Sequence, residues 1–247
     1  MIKILHRNGD PLYTSSTAAT TKAALQEAIG NGLSLKGADL RDADLSGIDL
    51  FRVTLEQADL RGAVLHLSNL QECTFVESKL DNAIFTRANM AHTKFIDCNL
   101  PHARFDHAVL FHCFAKKCFA PGTSFENASL RKFTALRSDL SEASFLGATL
   151  REDSRLIAVR LSGSNLERLK INQTEVTMCQ LDESYGADIE ITNSDFSTSS
   201  VTGTRWQMVY GNDVKFPAEL RRQPGVSFII SSDKINFVAP LERQEDI

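Results

Sequence analysis

A five-residue repeat runs through most of this 247-residue chain and restricts its fold more than any other feature. From Leu35 to Leu110, every fifth residue is Leu, Phe or Met in unbroken register. Two residues before each of these centres is a second position, which holds mostly Ala, Ser, Thr or Cys. A period of five fits neither a helix nor a flat strand, because periods of 3.6 and two residues would carry the apolar residue off any fixed face. The repeat therefore indicates a solenoid whose units pack only on their neighbours.

The segment from Gly37 to Leu45 has the pattern of a small residue, a polar residue, Leu and two variable residues. This pattern resembles the pentapeptide-repeat family, and the resemblance extends over residues 33–206. It implies an all-β solenoid, a right-handed quadrilateral β-helix in which each pentapeptide forms one side and four complete a turn. Centres twenty residues apart would then stack about 4.8 Å apart. One such predicted ladder consists of Phe85, Phe105, Phe125 and Phe145.

The chain divides into three predicted segments. Residues 1–32 form an N-terminal cap, with a hairpin that turns at Asn8-Gly9 and a short helix from about Thr21 to Ile29. Residues 33–206 form the β-helix. In residues 207–247, two apolar runs at 226–230 and 235–238 predict a hairpin that caps the last coil or forms a homodimer, followed by a charged tail from Glu242 to Asp246.

The repeat changes character after Leu110. If the register continues, the centres at 115 and 120 are both Ala, whereas Phe114 and Phe119 take outward positions. Two arrangements stay open. A local slip turns both rings inward, or the register holds and an exposed partner-binding patch forms. Because a slip would also bury Lys117 without a partner, we favour the patch. Its predicted members are Phe111, Phe114, Lys116, Lys117 and Phe119.

Two further irregularities lie beyond this region. One extra residue falls between Glu152 and Arg155, and we interpret it as a bulge at a corner of the coil. After the extra residue, the five-residue register resumes with large apolar centres, and Gly186 is the exception among them.

The five cysteines all fall on the small inward position, so we interpret them as buried structural thiols rather than disulfides or metal ligands. We expect them to lie on different sides or in distant coils. Reduced thiols, a net charge of −4 and the lack of an apolar run of about 20 residues favour a cytoplasmic protein that binds neither membrane nor nucleic acid directly.

The sequence contains no convincing active site, so we predict a protein that is not an enzyme and has no cofactor and no metal. Outward charges at five-residue spacing point away from different sides of the rod and cannot converge on a substrate. His92 and His112 are expected to be neighbours because they are twenty residues apart, but two imidazoles do not complete a zinc site.

Three functions are compatible with such a rod. The first is a non-catalytic scaffold that binds a protein partner. The second follows from the family resemblance, which implies a DNA mimic that modulates or protects DNA gyrase or another type II topoisomerase against quinolones or toxins. Its predicted acidic surface is Asp39, Asp44, Asp49 and Asp59, although nearby Lys and Arg nearly balance these charges and no long loop interrupts the coils. The third is an effector whose caps bind the target.

Overall fold

A computed structural model describes residues 1–230 and 235–238. At the N-terminus, β1 (Ile2–His6) and β2 (Pro11–Ser15) form an antiparallel hairpin, followed by α1 (Thr21–Gly30). The Thr20 side chain caps α1 by accepting a hydrogen bond from the Ala23 amide at 3.1 Å. β1 also pairs antiparallel with β3 (Ala38–Asp39) in the first coil. The predicted hairpin and helix are confirmed, and they cover strand edges and apolar surface that would otherwise be open.

The remaining strands are short and build a parallel solenoid of about eight turns. In chain order they are β4 (Thr54–Glu56), β5 (Thr74–Val76), β6 (Lys94–Ile96), β7 (Phe114–Lys116), β8 (Ser129–Arg131), β9 (Thr134–Leu136), β10 (Thr149–Arg151), β11 (Ser154–Ile157), β12 (Lys170–Asn172), β13 (Thr174–Thr177), β14 (Tyr185–Ala187), β15 (Glu190–Asp195), β16 (Arg205–Gln207), β17 (Val209–Pro217), β18 (Phe228–Ile230) and β19 (Ile235–Val238). A 3-10 helix spans Ala218–Arg222.

We number the four sides of a turn in chain order, beginning with the side that carries β4. This first side also contains β5, β6, β7, β9, β11 and β13, whereas the fourth side contains β8, β10 and β12. β15 and β17 extend around the corner from the fourth side onto the first. The second and third sides are held largely by isolated parallel bridges.

Neighbouring coils pair twenty residues apart, as Phe75 pairs with Phe95. Across the extra residue the interval becomes twenty-one, since Leu156 pairs with Ala135. The insertion lies between β10 and β11, where Glu152 and Asp153 both have left-handed backbone with φ of 60° and 61°. The predicted bulge at a corner is therefore confirmed.

The core is a filled stack of side chains. Central residues and the small residues two positions earlier are buried on all four sides along most of the rod. The predicted phenylalanine ladder is present, and its rings lie nearly parallel, with centroids 4.8 Å apart for Phe85–Phe105 and 5.1 Å for Phe105–Phe125. Each ring thus packs on the next in the preferred spacing of aromatic pairs.

The predicted C-terminal hairpin is wrong. β18 and β19 do not pair with each other; each pairs parallel with β17, so that Tyr210 faces Ile229 and Phe216 faces Phe237. The solenoid therefore continues past Trp206, because Val209 and Val214 occupy the small position and Phe216 a central one, all fully buried. The charged tail predicted at 242–246 lies outside the described residues.

Candidate functional site

The register holds through the irregular region after Leu110. Phe114 lies in β7 between Lys94 and Thr134 of the adjacent coils, while Cys118 and Ala120 are buried. Phe119 points outward and is 50% exposed. These positions exclude the local slip that would turn Phe114 and Phe119 inward.

The three predicted patch aromatics do not form one cluster, however. Phe114 lies on the first side, and Phe119 lies on the second side between Asn99 and Asp139. Phe111 ends the fourth side, where the Arg131 guanidinium lies 5.6 Å from its ring centroid. In the part of the chain that the structure describes, no ring contact joins the three. The corner at Lys116 and Lys117 separates Phe114 from Phe119.

Phe114 instead belongs to a line of partly exposed apolar side chains on the outer face of the first side. Strand pairing places four of them and Lys116 in one row that runs along the rod, through β5, β6, β7, β9 and β11. At the coil where Lys116 interrupts the row, Phe114 supplies the apolar side chain two positions earlier. We call this set the first-side stripe; its members are Val76, Ile96, Phe114, Leu136 and Ile157. Every member is partly exposed.

Ala115 marks a depression in the middle of the stripe. It is the one described first-side centre between Leu35 and Phe216 that is not fully buried. Beneath it, a cavity of about 30 Å³ is lined by residues that include Ala115, Ala120 and Phe133. The small side chain at a position that holds Leu or Phe in most coils leaves this space.

Several cations lie on and beside the stripe. Elsewhere on the rod, many charges pair across coils, as in Lys36–Glu56 at 2.6 Å, Arg52–Glu72 at 2.7 Å and Lys170–Glu190 at 2.8 Å. Around the stripe, five cations form no ion pair within the described residues. They are Lys94, Lys116, Lys117, Lys132 and Arg137. The stripe is therefore an apolar strip with a basic margin.

The four predicted acidic residues lie on three different sides. Asp39 and Asp59 are on the second side, where they bind Arg41 at 2.6 Å and Arg61 at 2.7 Å. The hydrogen bond from Arg41 lowers the pKa of the Asp39 carboxyl. Asp44 lies on the third side, and Asp49 lies on the fourth, where it accepts a hydrogen bond from Asn69 at 2.8 Å. They do not form one acidic surface.

In the described part of the chain, the histidine and acidic side chains do not gather into a metal-binding group. His92 and His112 stack with centroids 5.1 Å apart, as predicted. Partial burial, His92 and Lys132 lower the pKa of His112. Among the described residues, no group of three or more His, Cys, Asp or Glu side chains is arranged to hold a metal ion.

All five cysteines are buried free thiols, as predicted. The expectation that they lie far apart is wrong for one pair, because Cys98 and Cys118 are twenty residues apart and therefore stack in neighbouring coils. A hydrogen bond with Cys118, together with burial, raises the pKa of Cys98. Burial also raises the pKa of Cys113 to about 12, and its Sγ donates to the Met90 carbonyl at 2.7 Å.

A polar groove of about 500 Å³ follows the insertion and was not predicted. Its wall is a ladder of corner residues, Asp153, Gln173, Asn193 and Asp213. Ion pairs join Arg155 to Glu175 at 3.5 Å and Lys215 to Asp195 at 3.3 Å along it. These pairs engage two of the four carboxylates in the groove, whereas Asp153 and Asp213 form no ion pair within the described residues.

A four-sided parallel solenoid with a filled core and outward polar ladders defines the chain as a β-helical repeat protein. The sequence model described as pentapeptide repeats matches it in eight copies, over residues 20–47 and 48–87. The matched segment, residues 20–87, thus carries the repeats of the pentapeptide-repeat family.

Solved structures of similar fold are pentapeptide-repeat proteins as well. A trypsin-treated variant of QnrB1, a plasmid-mediated fluoroquinolone resistance protein, has a TM-score of 0.52 at 18% identity, with 70% of this chain and 89% of that chain covered. HetL, which is involved in heterocyst differentiation regulation in the cyanobacterium Nostoc sp. strain PCC 7120, has a TM-score of 0.37 at 18% identity, covering 74% and 91%. At such identity the likeness to QnrB1 is one of fold alone.

A search of curated proteins finds no match to this sequence. Within the described part of the chain, no helix is both long and apolar enough to cross a membrane.

Proposed function

We propose that this protein is a non-enzymatic pentapeptide-repeat scaffold that binds a protein partner through the first-side stripe. The observation that carries the proposal is the row of partly exposed apolar side chains from Val76 to Ile157, on a face where a soluble rod would otherwise carry polar residues. Exposed apolar side chains grouped on one face are typical of interfaces between proteins. The described coils, in contrast, bring no acid, base and nucleophile together.

The N-terminal cap, the β-helix and the C-terminal strands have different roles in this proposed scaffold. Residues 1–32 cover the first coil, because β1 pairs with β3 and the helix buries Ala24, Leu25 and Ala28. The coils that follow present the stripe as a rigid, nearly flat surface. β17, β18 and β19 extend the coil stack at the other end, so a homodimer through a C-terminal hairpin gains no support.

An affinity capture from native lysate tests whether a protein partner binds through the first-side stripe. Wild type, Phe114→Ser and Val109→Ser are compared as baits, because Val109 is 47% exposed on the fourth side and close to Phe114 in the chain. The expected result is a protein partner retained by wild type and Val109→Ser and lost from Phe114→Ser, with direct binding reproduced by the purified partner. Equal retention by all three baits would rule out the stripe as the interface.

The fold likeness to QnrB1 favours modulation of DNA gyrase as a second candidate. Its difficulty is electrostatic, since a DNA mimic needs an acidic surface and Asp39 and Asp59 are neutralised by Arg41 and Arg61. The test is gyrase supercoiling with and without ciprofloxacin. Inhibition, or restored supercoiling in the presence of the drug, would support this candidate, and no effect at stoichiometric excess would eliminate it.

A further inference from the structure

The charges around the first-side stripe indicate the chemical character of the partner that it would bind. On the second side, Arg41 and Arg61 each pair with an aspartate of their own repeat, Asp39 and Asp59. Arg160 pairs with Asp139 of the neighbouring coil at 2.7 Å. In the middle of the first side, five cations lie on or beside one face, and none of them forms an ion pair in the described part of the chain. A surface that leaves several cations unneutralised beside apolar side chains is complementary to an acidic, apolar ligand.

The cations lie within the face and on both of its margins. Lys94 and Lys116 belong to β6 and β7 of the face itself. Lys117 and Arg137 occupy the corner toward the second side, and Lys132 occupies the corner from the fourth side. The acidic corner residues Glu77 and Asp97 stack beneath Lys117, at the end of the stripe near Val76, and neither is ion-paired with it. The basic character is therefore greatest beside Phe114 and Leu136.

The shape of the stripe also restricts the ligand. Val76 to Ile157 spans four coil intervals of about 4.8 Å, or roughly 19 Å along the rod. A helix rises 1.5 Å per residue, so about 13 residues would cover this length. Each first-side strand is already paired on both edges along this stretch, as β7 is with β6 and β9, and no free edge remains for an added strand. A ligand can therefore pack only on the face of the sheet, and a helix is the element that commonly packs on a sheet face.

We infer that the first-side stripe is a docking site for an acidic amphipathic helix of a partner protein, about 13 residues long. Its apolar ridge lies along Val76, Ile96, Phe114, Leu136 and Ile157, and its Asp and Glu residues face the five free cations. One apolar side chain of the helix enters the depression over Ala115. This inference rests on the proposed scaffold function and adds the chemistry of the partner.

A displayed library of random peptides of about 14 residues tests the inference without knowledge of the partner. The library is selected on full-length wild type after depletion on the Phe114→Ser variant. Enriched peptides are expected to be acidic and to carry apolar residues at intervals of three and four. Enrichment of neutral or basic peptides, or of peptides that bind Phe114→Ser equally well, would overturn the inference.

The strongest enriched peptide is then measured by fluorescence anisotropy. We expect the double variant Lys116→Glu with Lys117→Glu to weaken binding at least about tenfold, equivalent to about 1.4 kcal/mol. Arg87→Glu is the matched control, because Arg87 is exposed at the third-to-fourth corner and lacks an ion pair in the described part of the chain. Equal weakening by Arg87→Glu would mean that total charge, and not the stripe, governs binding. Unchanged circular dichroism of the variants confirms that they fold.

Two further outcomes separate this inference from its alternatives. A single-stranded oligonucleotide that binds wild type and is lost from the Lys116→Glu/Lys117→Glu variant would identify the basic margin as a nucleic-acid site and overturn the helix proposal. If the captured protein partner depends on Phe114 while the library shows no acidic preference, the scaffold function stands and the inference about an acidic helix falls.

Discussion

Gly186 occupies a central position that holds Leu, Phe or Ile in most repeats, because the adjacent coils leave no room there for a side chain. A Cβ on this residue would lie 2.7 Å from the Leu166 carbonyl carbon and 2.7 Å from the Glu167 amide nitrogen. In the next coil, the fully buried Trp206 stands at the same position, and its indole donates to Ser184 Oγ at 2.9 Å. A large residue in one coil thus coincides with a minimal one in its neighbour, as a close-packed core requires.

We therefore predict that Gly186→Ala lowers the free energy of unfolding by about 1–3 kcal/mol, although it brings the residue nearer to the repeat pattern. Urea unfolding followed by circular dichroism measures the change. Gly47→Ala is the control, since Gly47 has φ of +66° but no atom within 4 Å of its added Cβ, so only backbone strain of about 1 kcal/mol applies. Gly186→Ala with wild-type stability would contradict the packing described here.

Because of Cys113, the free energy of unfolding is expected to fall as the pH rises into the alkaline range. Burial raises its pKa to about 12 in the folded chain, whereas the unfolded thiol loses its proton near its ordinary value of about 8.5. Between these values the unfolded state binds fewer protons, so stability falls as pH rises, by up to about 1.4 kcal/mol per pH unit. Urea unfolding at a series of pH values should show a shallower fall for Cys113→Ala than for wild type. Parallel curves would show that the thiol titrates normally in the folded state.

Among the elements, one corner accommodates an extra residue without disturbing the sides that it joins. Glu152 and Asp153 both adopt left-handed backbone at one corner, while β10 and β11 on either side keep their parallel partners. Ser154, the first residue of β11, is fully buried and donates to the Leu130 and Arg151 carbonyls. The extra residue is thus accommodated before the ladder resumes.

Deletion of Asp153 should accordingly be tolerated, because it restores an interval of twenty residues between β9 and β11. Deletion of Lys132 removes a residue from the equivalent corner of a coil that has no extra one, and should shift inward and outward positions in all the following strands. Thermal unfolding is expected to show a small change in Tm for the first deletion, and loss of soluble folded protein for the second. Equal effects of the two deletions would mean that the bulge is an essential feature.

The five-residue register predicted which side chains point inward, including the outward positions of Phe114 and Phe119, because that choice depends on local spacing. It did not predict which outward residues become neighbours, because coils stack at intervals of twenty. Reading the sequence at intervals of twenty, with the inserted residue counted, would have revealed the stripe in Val76, Ile96, Leu136 and Ile157. The prediction of a C-terminal hairpin was wrong for a related reason. Two apolar runs with a polar break fit a hairpin and two sides of one coil equally well, and Gly211 concealed the continuing register.

Across the whole molecule, stability and binding depend on different parts of each repeat. The inward positions form one continuous core from the N-terminal helix to Leu220, in which each coil contacts its neighbours alone. The outward side chains lie outside this core, so the four sides can differ in charge and polarity. Ion pairs across coils neutralise much of the surface, whereas the middle of the first side remains apolar and basic.

Site-specific photo-crosslinking tests most directly the claim that this side is the binding face. A benzophenone amino acid is placed at Phe114 or Leu136 on the first side, and at Val109 or Ile84 on the fourth and third sides as controls. The first-side probes are expected to crosslink to a common protein partner in native lysate, and the control probes are not. Crosslinks of equal yield from Val109 and Ile84, or none from Phe114 and Leu136, would contradict this claim.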